Sequence, residues 1–174
     1  GALRGWNMGG TAQEFYERGI QNAYLEDPMS GSEYLNYVND YMQREEPIAY
    51  TSVDPIGDGA PLESVTKIGV AWNEGDDNET KLEKIITQKY LALFPLSTEA
   101  WAEMRRTGYP KMFPVLNADD GDGSIKQGDI IRRIPWVPTD PIALNMVEFS
   151  GIPALGGPDE QATRLWWDVD VPNF

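Results

Sequence analysis

The sequence predicts a mainly α fold with long loops and a few short strands, and three features lead to that reading. Apolar residues recur at helical spacing in five segments. Most of those segments open on a capping residue and close on Pro or Gly. Between them, 17 Gly and 13 Pro gather in stretches without periodicity, which read as ordered loops. At 174 residues the chain has one domain's worth of length, enough to bury a core, so residues 1–174 are read as a single domain.

The elements follow in order. Ala2-Leu3-Arg4-Gly5 reads as the tail of an earlier helix, so the chain is expected to be a truncated or processed piece. In "GGTAQEFYERGIQNAYLEDP" Thr11 and Glu14 make a capping box, and Pro28 ends the helix. Ala12, Phe15, Tyr16, Gly19, Ile20, Ala23 and Tyr24 form its stripe. "SGSEYLNYVNDYMQREEP" repeats the scheme: Ser30 and Glu33 form the box, and Pro47 is the stop. Tyr34, Leu35, Val38, Tyr41 and Met42 face inward, and Tyr37 is the expected exposed tyrosine. A short turn between two such helices makes an αα-hairpin.

Residues 47 to 77 read as loop, with "VTKIGVAW" the one strand-like run. Next, "DDNETKLEKIITQKYLALFP" is helical, with Leu82, Ile85, Ile86, Leu93 and Phe94 on one face and acidic residues at the favourable end of the helix dipole. "LFPLSTEAWAEMRRTGYP" contains a further helix capped by Ser97 or Thr98. Its last turn holds Arg105 and Arg106, Gly108 is the C′ residue, and Ala100, Trp101 and Met104 face inward. Two extended runs then flank the turn "NADDGDGS". The last helix, "PTDPIALNMVEFSG", has Thr139 or Asp140 as its cap and Pro141 at its first position. Trp166 and Trp167 in the irregular tail are expected to tuck against the helices, because exposed neighbouring indoles are costly in water.

Composition removes whole classes of function. With 28 acidic against 14 basic residues the formal charge is −14, which opposes binding to nucleic acid phosphates. The absence of His removes the Ser-His-Asp triad and the usual zinc site. Without Cys there is no thiol nucleophile, iron–sulfur cluster or disulfide. Chemistry would fall to carboxylates, Lys or Tyr.

Each candidate site has a structural reading beside it. "NADDGDGS" invites calcium, yet from Asn117 the sixth position is Asp122 and the twelfth Gly128, where an EF-hand needs Gly and Glu. A plain hairpin turn is favoured, and no cofactor is expected. Glu45, Glu46, Asp54 and Asp58 are loop carboxylates that a glycosidase could use across a cleft, against a solvated acidic surface. Arg105 and Arg106 could clamp an anion, or complement a helix end. Trp72 is evenly balanced between core packing and sugar recognition. Followed by Asn73 and Asp76, it offers a ring face for the C–H side of a sugar and polar neighbours for its hydroxyls. Tyr37 joins these as a candidate ligand-binding residue.

Several segments, taken together, resemble one family. "ALRGWNMGGTAQEFYERGI", "KLEKIITQKYLALFPLSTEAWAEMRRTGYP", "IIRRIPWVPTDPIALN" and "RLWWDV" look like the C-terminal part of SusD/RagB-type outer-membrane lipoproteins of Bacteroidetes. The most specific stretch runs from Ile85 to Pro110, followed by Arg132-Arg133. The resemblance implies a non-enzymatic protein at the cell surface. Such a protein captures glycans and passes them to a TonB-dependent porin of the SusC type. It implies a fold that is a fragment of an α-superhelix with tetratricopeptide-like helix pairs, and makes the recognisable segments scaffold. Family members are two to three times as long and start with a signal peptide and a lipid-bearing Cys. This chain is therefore expected to be the C-terminal region, soluble by itself. The alternatives are a carboxylate-dependent glycoside hydrolase and a scaffold or porin-contact segment with no ligand site of its own.

Overall fold

The computed structural model describes residues 1–25, 34–47, 64–113, 122–126, 128–136 and 141–174. These residues are mainly helical, and no strand occurs among them. They form two compact units, Gly1–Met112 with Pro172–Phe174 and Phe113–Val171.

The first unit opens with a 3-10 turn, Ala2–Arg4, and then α1, Ala12–Leu25. The capping box of α1 is formed as expected: the Glu14 N–H donates to Thr11 Oγ1 at 3.1 Å, and the Thr11 N–H to Glu14 Oε2 at 2.7 Å. The buried stripe is narrower than the spacing predicts. Tyr16 and Ile20 are buried and Ala12 and Tyr24 half-buried, while Phe15, Gly19 and Ala23 lie on an exposed flank. Helix α2, Tyr34–Met42, contributes Val38, with Tyr41 and Met42 packed beside it. The box of Ser30 and Glu33 and the side chains of Tyr34 and Leu35 lie outside the described residues.

The strand-like run does not become a strand because its partner is a helix exit. The N–H groups of Val70 and Ala71 both donate to the Arg44 carbonyl, each at 2.8 Å. The approach is so close that a Cβ on Gly69 would lie 2.0 Å from the Glu45 carbonyl oxygen, so only glycine fits. Tyr16 closes this corner, donating from its phenol to the Val70 carbonyl at 2.7 Å. Burial pushes the Tyr16 phenol pKa up.

Helix α3 spans Asn78–Ala92, and the Asp77 side chain caps it by accepting from the Thr80 N–H at 2.7 Å. Ile86 is buried, and Leu82 and Ile85 are half-buried. Phe94 departs from the predicted face and is 87% exposed, because the helix ends at Ala92 and the residue falls beyond its cap. Helix α4, Ser97–Thr107, has Leu96 at its N-cap with no side-chain bond, so neither Ser97 nor Thr98 is the cap. Its end is as predicted: Gly108 has φ 76° and donates to the Met104 carbonyl at 2.8 Å. Helix α1 packs on α2 and α3, and α3 packs on α4.

The second unit contains α5, Pro141–Met146, a π-helical turn at Val147–Gly151, and α6, Ile152–Leu155. Pro141 holds the first helical position; Thr139 and Asp140 lie outside the described residues. Contrary to the expected tuck, Trp166 is 89% exposed and Trp167 half-buried. The Asp168 N–H donates to the Leu165 carbonyl at 2.9 Å, so both indoles sit at the corner of a turn, where Trp166 points outward. No helix among the described residues is long and apolar enough to cross a membrane.

Candidate functional site

The sequence-predicted residues Trp72, Asn73 and Asp76 fall in one loop, Ala71–Asp77, immediately before α3. Trp72 packs one face toward Tyr16, with ring centroids 5.2 Å apart and planes tilted by 42°, and belongs to the rim of the Tyr16–Ile20–Val38 core. Its indole N–H donates to Glu74 Oε1 at 3.1 Å. Of the two readings of Trp72, packing is therefore realised, while the side chain stays partly exposed.

The loop is knit by its own polar groups. Asn73 Oδ1 accepts from the Gly75 N–H at 2.8 Å, and the Asp76 N–H donates to the Asn73 carbonyl at 3.1 Å. Asp76 Oδ2 accepts from Lys84 Nζ at 2.6 Å. Glu74 Oε2 accepts from Lys81 Nζ at 2.9 Å. The Lys81 hydrogen bond and that from the Trp72 indole hold the Glu74 carboxyl below the usual range, so it stays ionised near neutrality. Asn73 and Glu74 are exposed, which leaves an amide, a carboxylate and a partly exposed indole within three consecutive residues. Such a set can accept and donate hydrogen bonds and offer ring surface; it contains no nucleophile with an adjacent base.

Tyr37 lies on a separate element, α2, and is 69% exposed as expected. Glu45 and Glu46 are exposed, whereas Asp54 and Asp58 lie outside the described residues. Most of the turn considered for calcium also lies outside them. Its last part is described, and there Asp122 accepts from the backbone N–H groups of Ser124 at 2.8 Å and Gln161 at 3.0 Å. No metal-holding cluster of three His, Cys, Asp or Glu occurs among the described residues. The paired arginines take structural places. Arg105 is buried with its guanidinium 3.6 Å from the Trp101 ring centroid, and Arg106 pairs with Glu103 at 2.8 Å.

Sequence reasoning missed Glu74, Lys81 and Lys84. The two lysines are buried, although the helical pattern assigns charged residues to solvent. A signal was present: lysine at i and i+3 follows directly on a loop carrying Glu74 and Asp76.

Comparison with known proteins places these features in context. Residues 1–168 match the family model described as SusD-like, Susd and RagB outer membrane lipoprotein. The curated proteins yielded no match. Among solved structures, a chitin-binding SusD homolog from Flavobacterium johnsoniae is 45% identical over 100% of this chain and 35% of that chain, with a TM-score of 0.87. A SusD homolog from Bacteroides uniformis is 36% identical over 97% of this chain and 34% of its own, with a TM-score of 0.80. A SusD-like protein from Bacteroides thetaiotaomicron is 32% identical over 97% and 34%, with a TM-score of 0.82. The chain thus spans about a third of the length of these relatives. It belongs to the SusD/RagB family of outer-membrane lipoproteins.

Proposed function

We propose that the chain is part of a non-catalytic, glycan-binding component of an outer-membrane uptake system, displayed at the cell surface and passing its ligand to a SusC-type TonB-dependent porin. The ligand class we assign is a chitin-type oligosaccharide of N-acetylated amino sugars. The observation that carries this is the 45% identity, along the whole chain, with a chitin-binding SusD homolog. The loop Ala71–Asp77 offers chemistry suited to such a ligand. An acetamido group presents one N–H and one carbonyl. The ionised Glu74 carboxylate can accept from the former and the exposed Asn73 amide can donate to the latter. The Trp72 indole supplies apolar surface for the sugar ring. Asp76 supports the loop through Lys84, and Tyr37 is a second exposed ring for an extended ligand.

Titration with chitohexaose, followed by calorimetry and by tryptophan fluorescence, tests the reading. Saturable binding that is lost in Asn73→Ala and Glu74→Ala is expected. No binding to chitohexaose or to a panel of other polysaccharides would remove it. Release of new reducing ends during the incubation would replace it with the hydrolase reading.

A further inference from the structure

We infer that Lys81 and Lys84 are positioning residues for this loop: their buried ammonium groups fix the path of Ala71–Asp77, and so the direction in which Asn73, Glu74 and the Trp72 indole meet a ligand. The ligand half of this inference rests on the glycan reading above.

The argument begins with where the lysines stand. They lie four and seven residues after the cap Asp77, far from the C-terminal turn of α3, which is where the helix dipole favours lysine. Both are also buried, at 8% and 7% exposure, and taking an ammonium out of water is costly unless it is paired. Helix building therefore does not account for them. Hydrogen bonding to the loop does. Lys81 Nζ donates to the Glu74 carbonyl and to Glu74 Oε2, each at 2.9 Å. Lys84 Nζ donates to the Ala71 carbonyl at 2.7 Å and to Asp76 Oδ2 at 2.6 Å.

Side chains on a helix lean toward its N-terminus, so lysines one turn apart reach back over the segment that precedes the cap. Lys84 grips the start of the loop and the Asp76 side chain near its end, and Lys81 grips its middle. Lys81 additionally stands 5.8 Å from the Trp72 ring centroid, a cation–π distance, so the same ammonium touches both the carboxylate and the indole. With the Asn73–Gly75 and Asp76–Asn73 bonds already turning the chain, these anchors leave the loop a single course. A loop ordered in advance loses less entropy when a ligand arrives.

Lys84→Met and Lys81→Met keep the aliphatic stem and remove the ammonium. Hydrogen exchange at the Gly75 and Asp76 amides, exchange at the core amides of Ile20 and Val38, and chitohexaose affinity are measured on the full chain and on both variants. Loop exchange faster by about tenfold or more, core exchange unchanged, and affinity weaker by about tenfold are expected. Unchanged loop exchange in both variants overturns the inference whatever the glycan does. So does faster loop exchange with undiminished affinity. If the parent chain binds no glycan, the function proposed above falls, while the exchange result still decides whether the lysines hold the loop. Should a Met variant fail to fold, Asp76→Asn weakens the Lys84 anchor from its more accessible side, and the same two exchange outcomes apply.

Discussion

Among the described residues, the buried apolar side chains of the first unit are Tyr16, Ile20, Val38, Ile86, Ala100 and Pro110, and the buried side chains of the second are Arg133 and Asp168. The first unit also buries ions, Lys81, Glu83 and Lys84 among them, but beside an apolar cluster that reaches from α1 to α3. In the second unit, charge takes the central place. Asp168 Oδ1 accepts from Arg164 at 2.7 Å and from Arg132 at 3.2 Å. Arg133 pairs with Asp159 and lies 4.7 Å from the Trp136 ring centroid. Apolar burial is non-directional and is not screened by salt, whereas ion pairs need geometry and weaken with ionic strength and with pH. The two units are held by forces that can be weakened separately.

The largest expected effect comes from Asp168→Ala. Asp168 is 1% exposed, and its removal takes the shared carboxylate from Arg132 and Arg164, leaving Arg164 its pair with Asp170 at 3.1 Å. Breaking a buried pair in this way costs about 3–5 kcal/mol. Hydrogen exchange should quicken across residues 122–136 and 158–168 and leave α1 unaffected. Equal quickening in both units would show that the same force holds them both. Ile20→Ala comes next and acts in the opposite place. At 3% exposure Ile20 is central to the first core, and its truncation should lower stability by about 2–4 kcal/mol. Urea denaturation should give the same loss in low salt and in about 1 M salt. A strong salt dependence would mean that ions, not apolar contact, dominate there as well.

The third effect is smaller and tests an ionic joint inside the apolar unit. Glu79, in the first turn of α3, accepts from the Tyr109 phenol at 3.0 Å, the Asn173 amide at 3.1 Å and the Phe174 N–H at 3.0 Å. Burial pushes its pKa up, but the bonds from Asn173, Tyr109 and Phe174 outweigh it, and the carboxyl lies below its ordinary value. The stabilisation is thus fully present above the unfolded-state value, near 4.3, and is lost as pH falls through the folded one. Tyr109 runs the other way. Burial first, then Glu79, raises its phenol pKa to about 12, so its contribution holds below about 10 and is lost as pH rises toward that value. Glu79→Gln should cost about 1–3 kcal/mol at neutral pH and bring the Tyr109 pKa down, as followed by NMR titration of the ring. A Tyr109 pKa that stays put in the variant would show that Glu79 is a bystander.

The same contrast explains what could be read in the sequence. The capping box of α1, the acidic start of α3, the Gly108 terminus and the exposed Tyr37 were legible because each depends on residues within one or two turns. So was the grouping of Trp72, Asn73 and Asp76, which are neighbours in the chain. The burial of Arg133 and Asp168 was not. Asp168 meets Arg132 across 36 positions, and Arg133 meets Asp159 across 26, so no local spacing encodes either pair. Lys81 and Lys84 were missed for a different reason: their partners are near in sequence, but helical periodicity assigns lysine to solvent. Trp166 and Phe94 failed in the reverse sense. Hydrophobicity argued for burial, and a turn corner and a helix end decided otherwise.

The mildest of these changes touches a local device instead of either core. Thr11→Ala removes the hydroxyl that accepts from the Glu14 N–H, which is a loss of about 1 kcal/mol for an N-cap. The box is reciprocal, so half of it survives, because the Thr11 N–H still donates to the Glu14 carboxylate. That backbone bond, followed by the one from the Thr11 hydroxyl, holds the Glu14 pKa below its ordinary value. Its contribution is therefore present above the unfolded-state value and fades as pH falls through the folded one. Fraying at the start of α1 in Thr11→Ala should accordingly increase in acid, visible as exchange at Phe15 and Tyr16 that rises relative to Val38 as pH is lowered. If Val38 exchange rises in step, the cap is coupled to the core, and the first unit owes its stability to its helix ends as well as to its apolar contacts.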